Sequence, residues 1–147
     1  MGSFTSIVLV SLSAARKKAN DASIKEEVHQ MRVLLEENMN DYGSYGNLQT
    51  GRWVDLGSTN TCASAIPSGN GSYAAQALQI CNNIMSQESG TPLDGISSFF
   101  YLGTNVGAQK YSILTWLPGQ QIYWCAGSSG VSTDPGSWNS QGCYANP

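Results

Sequence analysis

Charge is scarce in this chain, and its scarcity excludes more than any single motif does. Only 12% of the 147 residues are charged, about half the share of roughly a quarter usual in globular domains. Seven Lys and Arg against ten Asp and Glu leave a net charge of −3. A phosphate-binding surface needs a basic excess, so no nucleic-acid partner is expected. Histidine is nearly absent: the one residue, His29, falls inside a helical pattern beside Val28 and reads as solvated surface. There is no Gly-x-Ser-x-Gly elbow, phosphate loop or HExxH. Asp55, Glu88, Asp94 and Asp134 stand singly beside turn residues rather than as catalytic pairs. These absences predict no enzymatic activity, no cofactor and no bound metal. Long apolar runs are also missing, since Ile7-Val8-Leu9-Val10-Ser11-Leu12 falls far short of the roughly 20 residues that span a bilayer. With no basic residue before it, this run is not a standard signal peptide.

What charge exists is unevenly spread. Eleven of the seventeen charged residues lie between Arg16 and Asp41, and only six follow. The later part is rich in Gly, Ser, Asn, Gln and Tyr, a polar but uncharged surface frequent in exported proteins. Two regions are therefore expected: a helix over 1–41 and a globular domain over 42–147. From Ile7 to about Asn40 there is neither Pro nor Gly, and good helix formers abound. Ile24, Val28, Met31, Leu35 and Met39 recur at spacings of 4, 3, 4 and 4, one apolar stripe suited to packing on a sheet. Asp21 and Lys25 are read as an i,i+4 pair on the wet side. Gly43 ends the helix, being free to adopt the left-handed conformation of a C-cap. By contrast Ile7, Val8, Leu9, Val10 and Leu12 are apolar nearly all round. Such a segment must be buried by a partner or a membrane, unless it is merely a frayed tail.

Beyond Gly43 a loop-rich stretch, Ser44 to Asn60, is expected. Asn70-Gly71-Ser72 reads as a turn, with Ser72 capping a helix from about Tyr73 to Met85. Three strands follow, Ser98–Leu102, Tyr111–Leu117 and Gln121–Cys125, as an antiparallel meander. The tail from Ala126 onward reads as irregular. The fold class is thus α+β, a long N-terminal helix packed on a sheet of about three or four strands. Cys62, Cys81, Cys125 and Cys143 form no CxxC or Cys/His cluster, which argues against zinc and for disulfides. Three pairings are open, besides four reduced core cysteines. Cys62–Cys81 with Cys125–Cys143 is favoured, because each bond closes a local loop.

The run Ser6-Ile7-Val8-Leu9-Val10-Ser11-Leu12-Ser13-Ala14-Ala15-Arg16-Lys17-Lys18-Ala19-Asn20-Asp21-Ala22 resembles the bacterial type IV pilin helix where its membrane-inserting half passes into its amphipathic half. The continuation through Asp41-Tyr42-Gly43-Ser44-Tyr45 resembles the turn that ends that helix. Tyr123-Trp124-Cys125-Ala126-Gly127-Ser128-Ser129-Gly130 and Gly142-Cys143 are similar to the family's C-terminal disulfide-bounded region. The resemblance implies a helix packed on an antiparallel sheet and a role as structural subunit of a type IV pilus or a related secretion or competence filament. It also implies a cell-surface location, with a full-length precursor in the inner membrane. The implied partners are other copies of the chain or related pilins in a helical filament, and the inner-membrane assembly machinery. Ile7, Val8, Leu9, Val10 and Leu12 become the assembly helix. Family precursors carry a basic leader, a Gly-Phe-Thr-Leu-Ile-Glu-like processing site and about twenty further apolar residues. Here only Gly2, Phe4 and Thr5 echo that site, and Val8 stands where the glutamate would be. The expectation is that much of the first helical half is absent, leaving a soluble chain. Some pseudopilins hold calcium in a C-terminal loop, and Asp134 and Asn139 are the nearest counterpart.

A second reading comes from four tryptophans and seven tyrosines in an uncharged polar setting. They suggest an adhesive or carbohydrate-binding module, with Trp138 and Trp53 as candidate ligand contacts. Trp116 and Trp124, in strands, are expected in the core.

Overall fold

In a computed structural model the described residues are 3–50, 53–55, 61–67, 71–88, 99–104, 107–128 and 130–132, with the side chains of 3–11, 53, 55, 99 and 130–132 left aside. One helix, α1, runs unbroken over Ser3–Tyr42, 40 residues, about 60 Å at 1.5 Å per residue. It outlasts the predicted span at both ends because nothing within it breaks a helix. Gly43 stops it: at φ +70° it takes the left-handed conformation, and its N–H donates to the Met39 carbonyl at 2.8 Å, the single-bond αL cap. Just inside the core, the fully buried Asn38 donates through Nδ2 to the Ser44 carbonyl at 2.9 Å, so the turn is held from the helix side.

The stretch expected to be loop holds a short 3-10 helix, Gly46–Leu48, and a strand β1, Trp53–Asp55. A one-turn helix α2, Cys62–Ala65, leads to α3, Gly71–Gln87. Ser72 is thus inside α3 rather than its cap; Gly71, at φ +59°, makes the entry. The remaining strands are β2, Phe99–Thr104; β3, Tyr111–Leu117; β4, Ile122–Gly127; and β5, Gly130–Ser132. They form a five-stranded antiparallel sheet in the order β1-β2-β3-β4-β5, in which the expected three-strand meander is β2-β3-β4 and β1 and β5 are added at its edges. The three central strands carry most of it, and three-residue strands close each edge. The segment after Ala126 is therefore not irregular at its start, since β4 continues to Gly127 and β5 pairs back on it.

The main partner of α1 is α3, with β3 and β4 next. The two helices run antiparallel, as three hydrogen bonds show. Asn20 Nδ2 donates to the Gln87 carbonyl at 2.9 Å, Asn83 Nδ2 to Glu27 Oε1 at 3.0 Å, and the Tyr73 hydroxyl to Asp41 Oδ2 at 2.6 Å. Both helices lie over one face of the sheet. Ile24, Val28, Met31 and Leu35 are fully buried, and Met39 is half-buried. They join Ala77, Ile84, Phe100, Leu102, Ile113, Leu117 and Trp124 in one continuous core. The apolar stripe meets a helix as much as a sheet, a partner that periodicity cannot name.

The central strand β3 is buried on both faces. Period-2 alternation puts Tyr111, Ile113, Thr115 and Leu117 toward the helices, and every residue of β3 is buried. On the other face Leu114 and Cys125 form a second apolar cluster with Tyr101 and Tyr123. Trp116 stacks edge-on against Tyr123, ring centroids 5.1 Å apart. Strands covered on both faces lack a polar face, which matches the sequence of β3. The disulfide Cys62–Cys81 ties α2 to the middle of α3 across 19 residues of sequence, with both cysteines buried. Cys125 is disulfide-bonded as well; Cys143 lies outside the described residues.

Two acidic residues are buried, and the first of them contradicts the sequence reading. Asp21 is not on the wet side but 4% exposed, and its Oδ1 accepts the Gly119 N–H at 2.7 Å. Glu88, read only as a single carboxylate beside turn residues, is also 4% exposed. Its Oε1 accepts the Thr115 hydroxyl and the Trp116 N–H, the latter at 3.0 Å. Each carboxylate offsets part of its lost hydration by holding backbone of the β3 end or the turn after it, while Asp21 Oδ2 has no hydrogen-bond partner among the described residues.

Candidate assembly surface

The candidate site begins where the domain ends. Three contacts fix α1 at the domain's edge. The first is the Asp21–Gly119 bond, in which Gly119 approaches so closely that an added Cβ would lie 2.6 Å from Asp21 Oδ2 and 2.8 Å from the Lys17 carbonyl. The second is Asn20 bonded to the end of α3. The third places Lys25 Nζ 5.8 Å from the centre of the Trp124 ring, within cation–π range. N-terminal to these contacts the character of the helix changes. Leu12, Ser13, Ala14, Ala15 and Arg16 are all exposed, as are Lys18 and Ala19. Leu12 is 61% exposed, and Leu12, Ser13, Ala15, Arg16 and Ala19 line a surface depression. Ile7, Val8, Leu9 and Val10 belong to the helical backbone of α1; their side chains lie outside the described residues. From Ser3 to Arg16 the helix extends about 20 Å.

Charge is segregated along the exposed side of α1. Arg16 and Lys18 are exposed near its start, whereas Glu26, Glu36, Glu37 and Asp41 are exposed toward its end. Two of the acidic groups are engaged. The Tyr45 hydroxyl donates to Glu36 Oε2 at 2.8 Å, and Tyr73 donates to Asp41. The Tyr45 phenol is pushed up to about 12, first by burial and then by its bond to Glu36. That of Tyr73 is also raised to about 12, chiefly by the bond to Asp41.

Of the residues singled out in the sequence, the structure gathers the apolar stripe into the core and leaves Leu12 exposed. His29 is exposed. Trp116 and Trp124 are 4% and 8% exposed, so neither offers a face to a sugar. The Trp53 side chain lies outside the described residues, as do Trp138, Asp94, Asp134 and Asn139. Among the described residues no group of His, Cys, Asp and Glu could hold a metal ion. Nor, among them, is any helix long and apolar enough to cross a membrane. Sequence reasoning missed Gly119, whose role is a close approach of a turn to a helix; Pro118 beside it signals a turn but not what the turn meets. The chain matches no family model, and no match was found among the curated proteins or the solved structures.

Proposed function

We propose that the chain is a non-enzymatic structural subunit of an extracellular filament of the type IV pilus or pilus-like kind. It assembles through the N-terminal part of α1. The observation that carries this reading is the run of exposed residues from Leu12 to Arg16 on a helix that continues unbroken into the core. A 40-residue helix is stable because its second half is packed, so the first half is presented as a rigid rod. An apolar side chain displayed on such a rod, as Leu12 is, gains stability only against another surface. The resemblance of residues 6–22 to the pilin helix supplies the identity of that surface, the same helix in other copies. The precursor would meet the inner-membrane assembly machinery before incorporation. The sheet domain, with its sparse charge and a buried disulfide, suits an exposed position outside the cell.

The test is immunogold electron microscopy of the producing cells with an antibody raised against the sheet domain. Gold aligned along surface filaments is the expected result. Filaments that carry no label, or label confined to the cell body, would contradict the reading.

A further inference from the structure

Two exposed couples on α1 match each other in kind and in spacing. Leu12 and Val33 are 61% and 45% exposed, two of the three exposed large apolar side chains among the described residues. Each is followed four positions later by an exposed charge, Arg16 after Leu12 and Glu37 after Val33. Residues i and i+4 share a helix face, so α1 displays an apolar-then-positive couple near its start and an apolar-then-negative couple near its end. Neither Arg16 nor Glu37 has a hydrogen-bond or ion-pair partner among the described residues.

We infer that copies of this chain dock through α1 in parallel, displaced by 21 residues, so that Leu12 of one copy meets Val33 of the next and Arg16 meets Glu37. The two separations are equal, 33 − 12 and 37 − 16, and correspond to about 32 Å along the axis. Order within the couples decides the direction. Parallel helices bring apolar to apolar and positive to negative at once. Antiparallel helices would set Leu12 against Glu37 and Arg16 against Val33, burying each charge against an alkyl group. Twenty-one residues are three heptads, so the two faces stay in phase as the helices wind around each other. Ala15 and Ala19, exposed beside Leu12 and Arg16, are small enough to let the helices close together. The contact uses different patches on the two copies, so it is heterologous and propagates instead of closing into a dimer. It rests on the filament reading above and gives that reading a register.

Cross-linking tests it directly. Full chains carrying Leu12→Cys and Val33→Cys are mixed in equal amounts, oxidised gently and run on a non-reducing gel. A Leu12→Cys and Glu37→Cys mixture reports the antiparallel alternative. Sedimentation of the unmodified chain at low salt is followed in parallel. The first mixture is expected to link severalfold more than the second. Arg16→Glu should weaken association roughly fivefold, as for one exposed ion pair, and adding Glu37→Arg should restore it. Equal or stronger linking in the second mixture would overturn the register. So would labelled filaments on cells while neither mixture links, an outcome that leaves the filament reading standing. Binding to phosphatidylglycerol vesicles without self-association would assign Arg16 and its neighbours to lipid and overturn the proposal. Absence of self-association together with unlabelled filaments would remove both readings.

Discussion

The Gly119 N–H donates to Asp21 Oδ1 at 2.7 Å, joining residues 98 positions apart. It locks the turn after β3 onto α1 where the exposed part of the helix begins. An added methyl at Gly119 would meet Asp21 Oδ2 at 2.6 Å and the Lys17 carbonyl at 2.8 Å. The second of these is backbone and cannot swing aside. Gly119→Ala should therefore cost about 1–3 kcal/mol by overpacking, read from urea unfolding. Asp21→Ala should cost about the same, because it leaves the Gly119 N–H unpaired. Asp21→Asn should cost less, since an amide oxygen still accepts.

Glu88 works in the same way just past the C-terminal end of α3. Its Oε1 accepts from Thr115 and from the Trp116 backbone, in a site with 4% exposure. Glu88→Ala should destabilise the fold by about 1–3 kcal/mol for each donor left unsatisfied. A double-mutant cycle with Thr115→Val should show coupling on the order of 1 kcal/mol. Strict additivity would mean that the two side chains do not act together.

How much of this was legible in the sequence follows from what kind of signal each feature leaves. The long helix, its Gly43 cap and the span of β3 are local, written in periodicity and in one residue's backbone freedom. The Cys62–Cys81 bond was legible because a short loop favours it. β1 and β5 were not, because three residues carry no periodicity and gain their structure by pairing with β2 and β4. Asp21 was misread, and the burial of Glu88 went unforeseen, for a related reason. A carboxylate in sequence looks solvated, and only the folded chain shows the backbone donors that make its burial tolerable. The same holds for α3 as the main partner of α1, since an apolar stripe does not say what will cover it. In the candidate surface, the apolar start of the helix was legible, but the match between Leu12–Arg16 and Val33–Glu37 needed exposure to be known.

Loss of the Cys62–Cys81 bond through the double change Cys62→Ala and Cys81→Ala should lower stability by about 3 kcal/mol in the chain-entropy view of a loop this size. Equilibrium unfolding with and without reductant measures it. The unmodified protein should shift toward the variant when reduced, and the variant should shift less.

Alkaline pH should loosen the end of α1. Tyr45 and Tyr73 are each held at about 12 in the folded chain, against 10 for a free phenol. A raised pKa means that the folded state favours the protonated phenol. That stabilisation is whole below pH 10 and is lost as pH rises from about 10 to about 12. Thermal unfolding should therefore fall across this window, with tyrosinate absorbance delayed relative to unfolded protein. Tyr45→Phe should flatten the Tyr45 share of the slope.

The central claim is that α1 faces inward among copies of itself while the sheet domain faces out. A helical reconstruction of the labelled filaments by electron cryomicroscopy tests this most directly. The account predicts a core of parallel α1 helices, with Leu12 buried against a neighbouring copy and the five-stranded sheet on the outside. A filament with Leu12 in solvent, or with the sheet at its centre, would contradict it.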